Sequence, residues 1–389
     1  MSQSKKLIPR RRFREFEGAS EWQRYELGQL GCVAMNRRIF KEQTTNSGEI
    51  PFYKIGTFGG EPDAFISREI FEKYKAIYPY PKIGDILISA SGSIGKTIEY
   101  EGKDEYFQDS NIVWLNHDER LINSFLKQFY KIVNWQGIEG STIKRLYNKN
   151  ILLTEIILPS AKEQTQIGEF FKKLDNLINT QQKKLEKAKT LKSAYLREMF
   201  PNEGELKPRL RFNSFINAWH IKDINDLANR YDNFRIPITA SNRKIGLTPY
   251  YGANGIQDYV QGFTHDGEYI LIAEDGANDF KNYPVQYVKG KIWVNNHAHV
   301  LQGKIGICDN KFLMNAFKNI NIEPYLVGGS RAKLNSDTMM NISLKVPNQQ
   351  EQTKIGNFFK LLDDKIALEQ KKLDKLKHIK QAYLNEMFV

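Results

Sequence analysis

The chain has 389 residues, 41% of them hydrophobic and 26% charged, with a formal net charge of +12 and a sequence pI of about 9.3. That length suggests two or three domains with real cores, and the positive surplus points to an acidic partner, of which nucleic acid is the commonest. The two cysteines, Cys32 and Cys308, lie far apart in no metal-ligand spacing, which argues against a disulfide framework or structural zinc and for a reducing, cytoplasmic setting. No run approaches the roughly 20 apolar residues of a membrane helix. The basic segment 1–14 has no apolar core behind it and does not read as a secretion signal.

Residues 1–158 read as a first globular α+β unit. Strand-like runs at 51–56, 85–90 and 112–115 are punctuated by Gly, Asn and Asp. Residues 90–97, Ala-Ser-Gly-Ser-Ile-Gly-Lys-Thr, fit a relaxed phosphate loop with Ala in place of the first Gly. A strand precedes them, but Thr97-Ile98-Glu99-Tyr100 continues as β where a helix is required, so the tract reads as a hairpin turn. Asp85 with Glu101 and Lys103 mimics the D…ExK spacing of metal-dependent nucleases. Such patterns recur by chance in a chain rich in Lys and Glu, and the second half of the chain lacks it. Ser141, Thr142, Lys144 and Arg145 form a hydroxyl-plus-cation segment suited to phosphate contact, or to a plain solvated loop.

Residues 159–205 and 347–389 are helical near-copies. Across 159–200 and 347–388, 25 of 42 positions are identical, including Glu163-Gln164-Thr165 with Glu351-Gln352-Thr353 and Phe170-Phe171-Lys172 with Phe358-Phe359-Lys360. Chance does not produce this, so the chain holds a duplicated unit. Each copy opens with a capping box, Ser160 with Glu163 and Asn348 with Glu351. A 4-3 alternation follows: Ile167, Phe171, Leu174, Ile178, Gln181, Leu185, Ala188, Lys192, Tyr195, Met199, and then Ile355, Phe359, Leu362, Ile366, Glu369, Leu373, Leu376, Lys380, Tyr383, Met387. The period of 3.5 is that of a coiled coil. A helix of about 58 Å at about 1.5 Å per residue must bury its stripe, and the simplest partner is its twin. Antiparallel pairing would relate two globular units by a pseudo-twofold axis; the other arrangement folds each helix back on its own unit.

Residues 206–346 form the second globular unit, with strand-like runs at 269–273 and 291–294. The two globular units resemble each other more weakly. Pro9-Arg10-Arg11-Arg12-Phe13 and Trp22 match Pro208-Arg209-Leu210-Arg211-Phe212 and Trp219, and Gly140-Ser141 with Lys144 matches Gly329-Ser330 with Lys333. Ser330, Arg331 and Lys333 repeat the phosphate-contact chemistry. Asn295, Asn296, His297 and His299 make the most polar compact cluster. It suits base or backbone contact, structural hydrogen bonding, or a two-His metal site with no further ligands at hand. Parallel α/β alternation is not evident, and neither a glycine-rich cofactor loop nor the Asn-Pro-Pro-like tract of an adenine methyltransferase is present.

Two dissimilar globular units, each followed by a near-identical helix carrying Glu-Gln-x-x-Ile-Gly-x-Phe-Phe and Leu-Asp, resemble Type I restriction–modification specificity subunits. Gly84 to Ser89, Asn254-Gly255-Ile256, Asp275-Gly276-Ala277-Asn278 and Asn295 to His299 look like target-recognition-domain tracts. The resemblance implies an α+β fold with two target recognition domains, 1–158 and 206–346, separated by helical spacers, 159–205 and 347–389, that pair as an antiparallel coiled coil. It implies a non-catalytic subunit that reads a bipartite, asymmetric DNA site through Lys54, Ser91, Ser93, Lys96, Ser141, Thr142, Lys144, Arg145, Asn254, Asn278, Asn295, Asn296, His297, His299, Ser330, Arg331 and Lys333. The apolar seam residues would pair the helices and dock two methyltransferase subunits, and through them motor–nuclease subunits. S-adenosylmethionine, ATP and Mg would belong to those partners, with no cofactor, metal or membrane for this chain. The competing readings are a helical scaffold with ends that bind no DNA, and a stand-alone metal-dependent nuclease.

Overall fold

A computed structural model describes residues 6–138, 144–329 and 332–389. The chain divides into two compact units, Met1–Gln181 with Lys372–Val389, and Gln182–Lys371. Both long helices therefore contribute to both units. Among the described residues no helix is long and apolar enough to cross a membrane.

The first unit is built on an antiparallel sheet of β1 (Gly31–Ala34), β2 (Ile86–Ser89), β3 (Thr97–Glu99) and β4 (Ile112–His117), in the order β1-β4-β2-β3. The first four residues of β4, Ile-Val-Trp-Leu, are all buried, because the sheet is covered on both faces. Strand alternation sends Val113 and Leu115 into one core with Trp22, Ile86, Ile88 and Phe125. It sends Ile112 and Trp114 into another with Phe58, Leu87, Tyr100 and Phe107. Helix α1 (Asn123–Ile132) and the start of the long helix α2 (Ala161–Glu198) supply the apolar cover of the first core. As the sequence indicates, residues 90–97 are a hairpin turn, and the chain continues into β3 rather than a helix.

The second unit carries a larger sheet: β5 (Ala228–Arg230), β6 (Ile245–Gly252), β7 (Gly255–Val260), β8 (His265–Ala273), β9 (Val285–Val294) and β10 (Ala298–Gly303), in the order β5-β10-β8-β9-β6-β7. Only the β6–β9 contact is parallel. The alternation recurs in β8, where Ile270 and Ile272 join the core beneath helix α3 (Asn310–Lys318) and the long helix α4 (Gln349–Met387), while Tyr269 and Leu271 face the other way.

The helical repeat is packed in the same way in both units. In the first, Phe171 and Phe388 meet Trp22 and Phe125, and Phe170 meets Phe13 and Tyr383. In the second, Phe359 and Phe200 meet Trp219 and Phe312, and Phe358 meets Phe212 and Tyr195. In each unit the two long helices run antiparallel, since rising numbers on one meet falling numbers on the other. The seam lysines do not interrupt this. Lys380 binds Asp175 in the first unit, and Lys192 binds Asp363 in the second. A second lysine stands beside each pair: Lys131 lies 3.4 Å from Asp175, and Lys318 takes the corresponding place in α3.

The Glu-Gln of the repeated motif ties each helix to its globular unit. Ser160 and Asn348 accept from the backbone N–H of Glu163 and Glu351, which is half of the capping box expected. The other half does not form, because the glutamates turn inward. Arg12 donates two bonds to Glu163 at 2.7 and 2.8 Å, and Arg211 donates two to Glu351 at 2.7 Å each. Gln164 accepts from Ile122 N–H and donates to the Arg120 and Pro159 carbonyls. Gln352 does the same with Asp309, Ile307 and Pro347. The motif glycines allow the close approach. A Cβ on Gly168 would stand 2.0 Å from Ser124 Oγ, and one on Gly356 would stand 2.9 Å from Phe312 N.

These buried pairs are costly to break singly, because the remaining charge is stranded. Glu351→Gln is expected to destabilise the second unit by about 3–5 kcal/mol in urea unfolding; wild-type stability would show that the pair does not hold the helix. Burial, then neighbouring Lys380, pushes the Lys131 amine down to about 8. A lysine depressed in the folded state binds fewer protons than in the unfolded chain, so this group gives stability back as pH rises from about 8 toward the ordinary lysine value near 10.4. Lys131→Met should therefore be more stable than wild type at pH 7, with the difference shrinking by pH 10 in thermal melts.

Candidate nucleic-acid interface

The candidate contacts fall at matched places in the two units. In the first, the backbones of Ser91 and Arg145 form an antiparallel bridge, and Leu146 N–H donates to the Ala90 carbonyl at 2.8 Å. In the second, Asp275 and Lys333 bridge, and Leu334 N–H donates to the Glu274 carbonyl at 2.7 Å. Topology thus equates Arg145 with Lys333, whereas the sequence match pairs Lys144 with Lys333. Ser141, Thr142, Ser330 and Arg331 lie outside the described residues.

Around the first bridge, Ser91 Oγ donates to Asn111 Oδ1 at 2.7 Å, and Arg145 Nη2 donates to Ser110 Oγ and Asn111 Oδ1 at 3.3 Å each. Ser110 has a left-handed backbone, φ 53°, which is uncommon for a residue with a side chain. The hairpin turn is closed internally: Ser89 Oγ accepts from Lys96 N–H and donates to the Ser93 carbonyl, and the Lys96 amine donates to the Phe58 carbonyl. Lys54 is paired with Asp63 at 2.9 Å, and Lys144 is exposed. The nuclease-like trio does not converge. Glu101 and Lys103 pair with each other at the surface, while Asp85 accepts from Lys82 N–H and Asn123 Nδ2.

In the second unit a charged network lies behind the bridge. Arg235 Nη1 donates to Glu274 Oε2 at 2.6 Å, and Lys333 pairs with Glu274 Oε1 at 2.9 Å. His299 faces Asp232 Oδ2 at 2.7 Å through Nδ1 and the Leu334 carbonyl at 2.8 Å through Nε2. Both ring nitrogens face acceptors, so both bonds form only when the ring carries both protons. Burial opposes the Asp232 and Glu274 charges. For Asp232, His299, Val300 N–H and Arg235 outweigh it; for Glu274, Arg235, Lys333 and His299 do so, and both carboxyls are held below the usual range. Asp232, Glu274 and His299 bring their donor atoms within 4.8 Å of one another. Arg235 and Lys333 place cationic groups on the Glu274 carboxylate of that cluster.

Burial sorts the candidates. His299 is 1% exposed and Asn295 4%, so both are interior, which fits the structural hydrogen bonding that the sequence also allowed for this cluster. Asn295 accepts from His297 N–H. Ser91 is likewise buried. Asn296 and His297 are exposed, His297 pairing with Asp275 at 2.5 Å. Asn254 clamps the loop next to it, donating to the Gly276 carbonyl and accepting from Asn278 N–H. Asp232 and Arg235 share one short turn, but Glu274, His299 and Lys333 reach them from distant segments, so no motif marks the group.

The helix candidates are sorted in the same way. Ile167, Phe171, Leu174, Leu185, Met199, Ile355, Phe359, Leu373 and Met387 are buried within this chain, and Ile178, Tyr195, Leu362, Ile366, Leu376 and Tyr383 are half-buried. Their apolar surface is taken up by this chain's own packing. Apolar positions left in the open include Leu177, Leu191, Leu361 and Leu368. Glu274→Gln is expected to destabilise the second unit by about 3 kcal/mol at pH 7, since Arg235 and Lys333 lose their anion. Because the Glu274 pKa is depressed on folding, its stabilisation is present at neutral pH and disappears on acidification below its ordinary value of about 4.3. The gap between wild type and variant in chemical unfolding should therefore close toward pH 3.

Two segments of the chain, residues 19–190 and 217–378, match the family model of the Type I restriction modification DNA specificity domain. A putative type I restriction enzyme specificity subunit of Haemophilus influenzae is 55% identical over 156 residues, which is 40% of this chain and 40% of that protein, so the match spans less than half of the relative's length. The putative type I restriction enzyme MjaX specificity subunit of Methanocaldococcus jannaschii is 23% identical across 89% of this chain and 85% of that protein. In fold, the chain is similar to the crystal structure of the S subunit of a Type I restriction–modification system from M. genitalium, with a TM-score of 0.71 and 18% identity, covering 98% of this chain and 99% of that one. With the family model matched over both halves, the chain belongs to the Type I restriction modification DNA specificity domain family.

Proposed function

We propose that this chain is the DNA-reading, non-catalytic subunit of a Type I restriction–modification complex. The observation that carries this is duplication with divergence. The attachment of helix to globular unit is the same in both halves, through Arg12–Glu163 and Arg211–Glu351, whereas the sheets differ in strand number and order. Two readers mounted alike but shaped differently suit a double-stranded DNA site made of two unlike half-sites. The cationic positions at the matched bridges, Arg145 and Lys333, would meet phosphates, and exposed Asn296 and His297 carry groups suited to base edges. Two methyltransferase subunits would dock on the helices and bring S-adenosylmethionine to adenine N6. Motor–nuclease subunits would join through them with ATP and Mg, in the cytoplasm. This chain would hold none of those cofactors.

Binding to a duplex containing the site should fall by about 10³–10⁵ between 50 and 200 mM salt if six to ten phosphates are neutralised. Replacing residues 206–346 with the corresponding segment of a relative should alter one half of the methylated sequence and leave the other, as read by mapping methylated adenines. Salt-insensitive binding, or both halves changing together, would favour a helical scaffold with no reader at its ends.

A further inference from the structure

A lysine-rich helix face is by default a solvated surface, and the two long helices offer a control on that default because each is a copy of the other. Among the nineteen exposed positions of α2, thirteen differ from their equivalents in α4. The six that recur are Thr165 and five lysines, Lys172, Lys183, Lys184, Lys187 and Lys189, repeated as Lys360, Lys371, Lys372, Lys375 and Lys377. Divergence has thus replaced most of the solvent face of the helix and left these lysines in place. Lys162 and Lys173 do not recur, so the retained set concentrates in 183–189 and 371–377.

These lysines stand on the exposed face rather than in the buried seam. The eleven residues 182–192 and the eleven residues 370–380 each hold five lysines and one carboxylate. One lysine of each five, Lys192 or Lys380, is spent on the seam aspartate; the other four are exposed. The single carboxylate in the first stretch, Glu186, lies 3.5 Å from Lys189. At about 100° per residue, Lys183, Lys184 and Lys187 fall within about 100° of arc, on the side away from buried Leu185. They rise only about 6 Å along the axis. A duplex presents one phosphate charge per about 1.7 Å of its axis, so three flexible ammonium groups in that space match a run of phosphates and need no particular base.

We infer that each of these lysine combs binds the sugar–phosphate backbone of duplex DNA, a contact to the nucleic acid made by the helices and independent of the bases read by the globular units. The inference rests on the DNA-reading function proposed above. The combs add affinity and salt dependence without adding sequence preference.

The test uses the full chain and two duplex probes, one of arbitrary sequence and one carrying the recognised site. Lys183→Gln, Lys184→Gln and Lys187→Gln are combined in one variant, and Lys371→Gln, Lys372→Gln and Lys375→Gln in another, with Lys→Arg versions as charge-preserving controls. The expected result is a slope of log affinity against log salt shallower by about 2–3 in each Gln variant, equally for both probes, and wild-type behaviour for the Arg versions. An unchanged slope in Gln variants that melt like wild type would overturn the inference and leave the DNA-reading function standing. So would an unchanged slope accompanied by loss of the co-purifying methyltransferase, which would make the comb a protein contact. Absence of salt-dependent duplex binding by the wild-type chain would remove the proposed function and the comb together.

Discussion

The pairing of the two long helices depends on a lysine in each seam meeting an aspartate of the other helix. Lys380 with Asp175 and Lys192 with Asp363 are the same pair made twice, since each residue is the repeat-equivalent of its counterpart. A seam of leucine and phenylalanine alone would tolerate sliding or a parallel partner. A lysine that must leave water is satisfied in one register and one direction only, so polar seam residues specify an arrangement at some cost in stability. The second lysine at each site, Lys131 or Lys318, makes that cost visible, because two cations share one carboxylate and burial pushes both amines down.

The same logic holds each helix to its globular unit. Glu163 and Glu351 are almost wholly buried, which a carboxylate tolerates only when its oxygens are filled. Arg12 and Arg211 fill them in the two-pronged geometry suited to carboxylates. Gln164 and Gln352 meanwhile satisfy backbone groups at the edge of the neighbouring helix that would otherwise be stranded. The repeated Glu-Gln-x-x-Ile-Gly-x-Phe-Phe is thus an inward-facing attachment. It recurs because both copies perform the same packing task.

With attachment standardised, the globular units are free to differ. The main sheet of the first has four strands and is buried on both faces, and that of the second has six, beside a network of Asp232, Arg235, Glu274, His299 and Lys333 that has no counterpart among the described residues of the first. What they share is the bridge that brings a basic residue, Arg145 or Lys333, to the same topological place. A common frame thus carries unlike surfaces in the two units.

The sequence by itself determined the duplication, the helical repeat with its 3.5-residue period, the α+β character of the globular segments and the reading of residues 90–97 as a turn. Each follows from local pattern, which needs no knowledge of distant residues. It matched Arg12 with Arg211 and Trp22 with Trp219 as copies, without showing why they recur. Tertiary structure alone decided the partners, because Arg12 meets Glu163 across 151 residues and Lys192 meets Asp363 across 171. It also decided which polar groups are interior. His297 and His299 are two residues apart and would share a face in a strand, but β10 begins at Ala298, so His297 belongs to the turn and is exposed while His299 is enclosed. Burial of a charged or polar side chain depends on what the rest of the chain brings to it, and that is a property of the assembled fold.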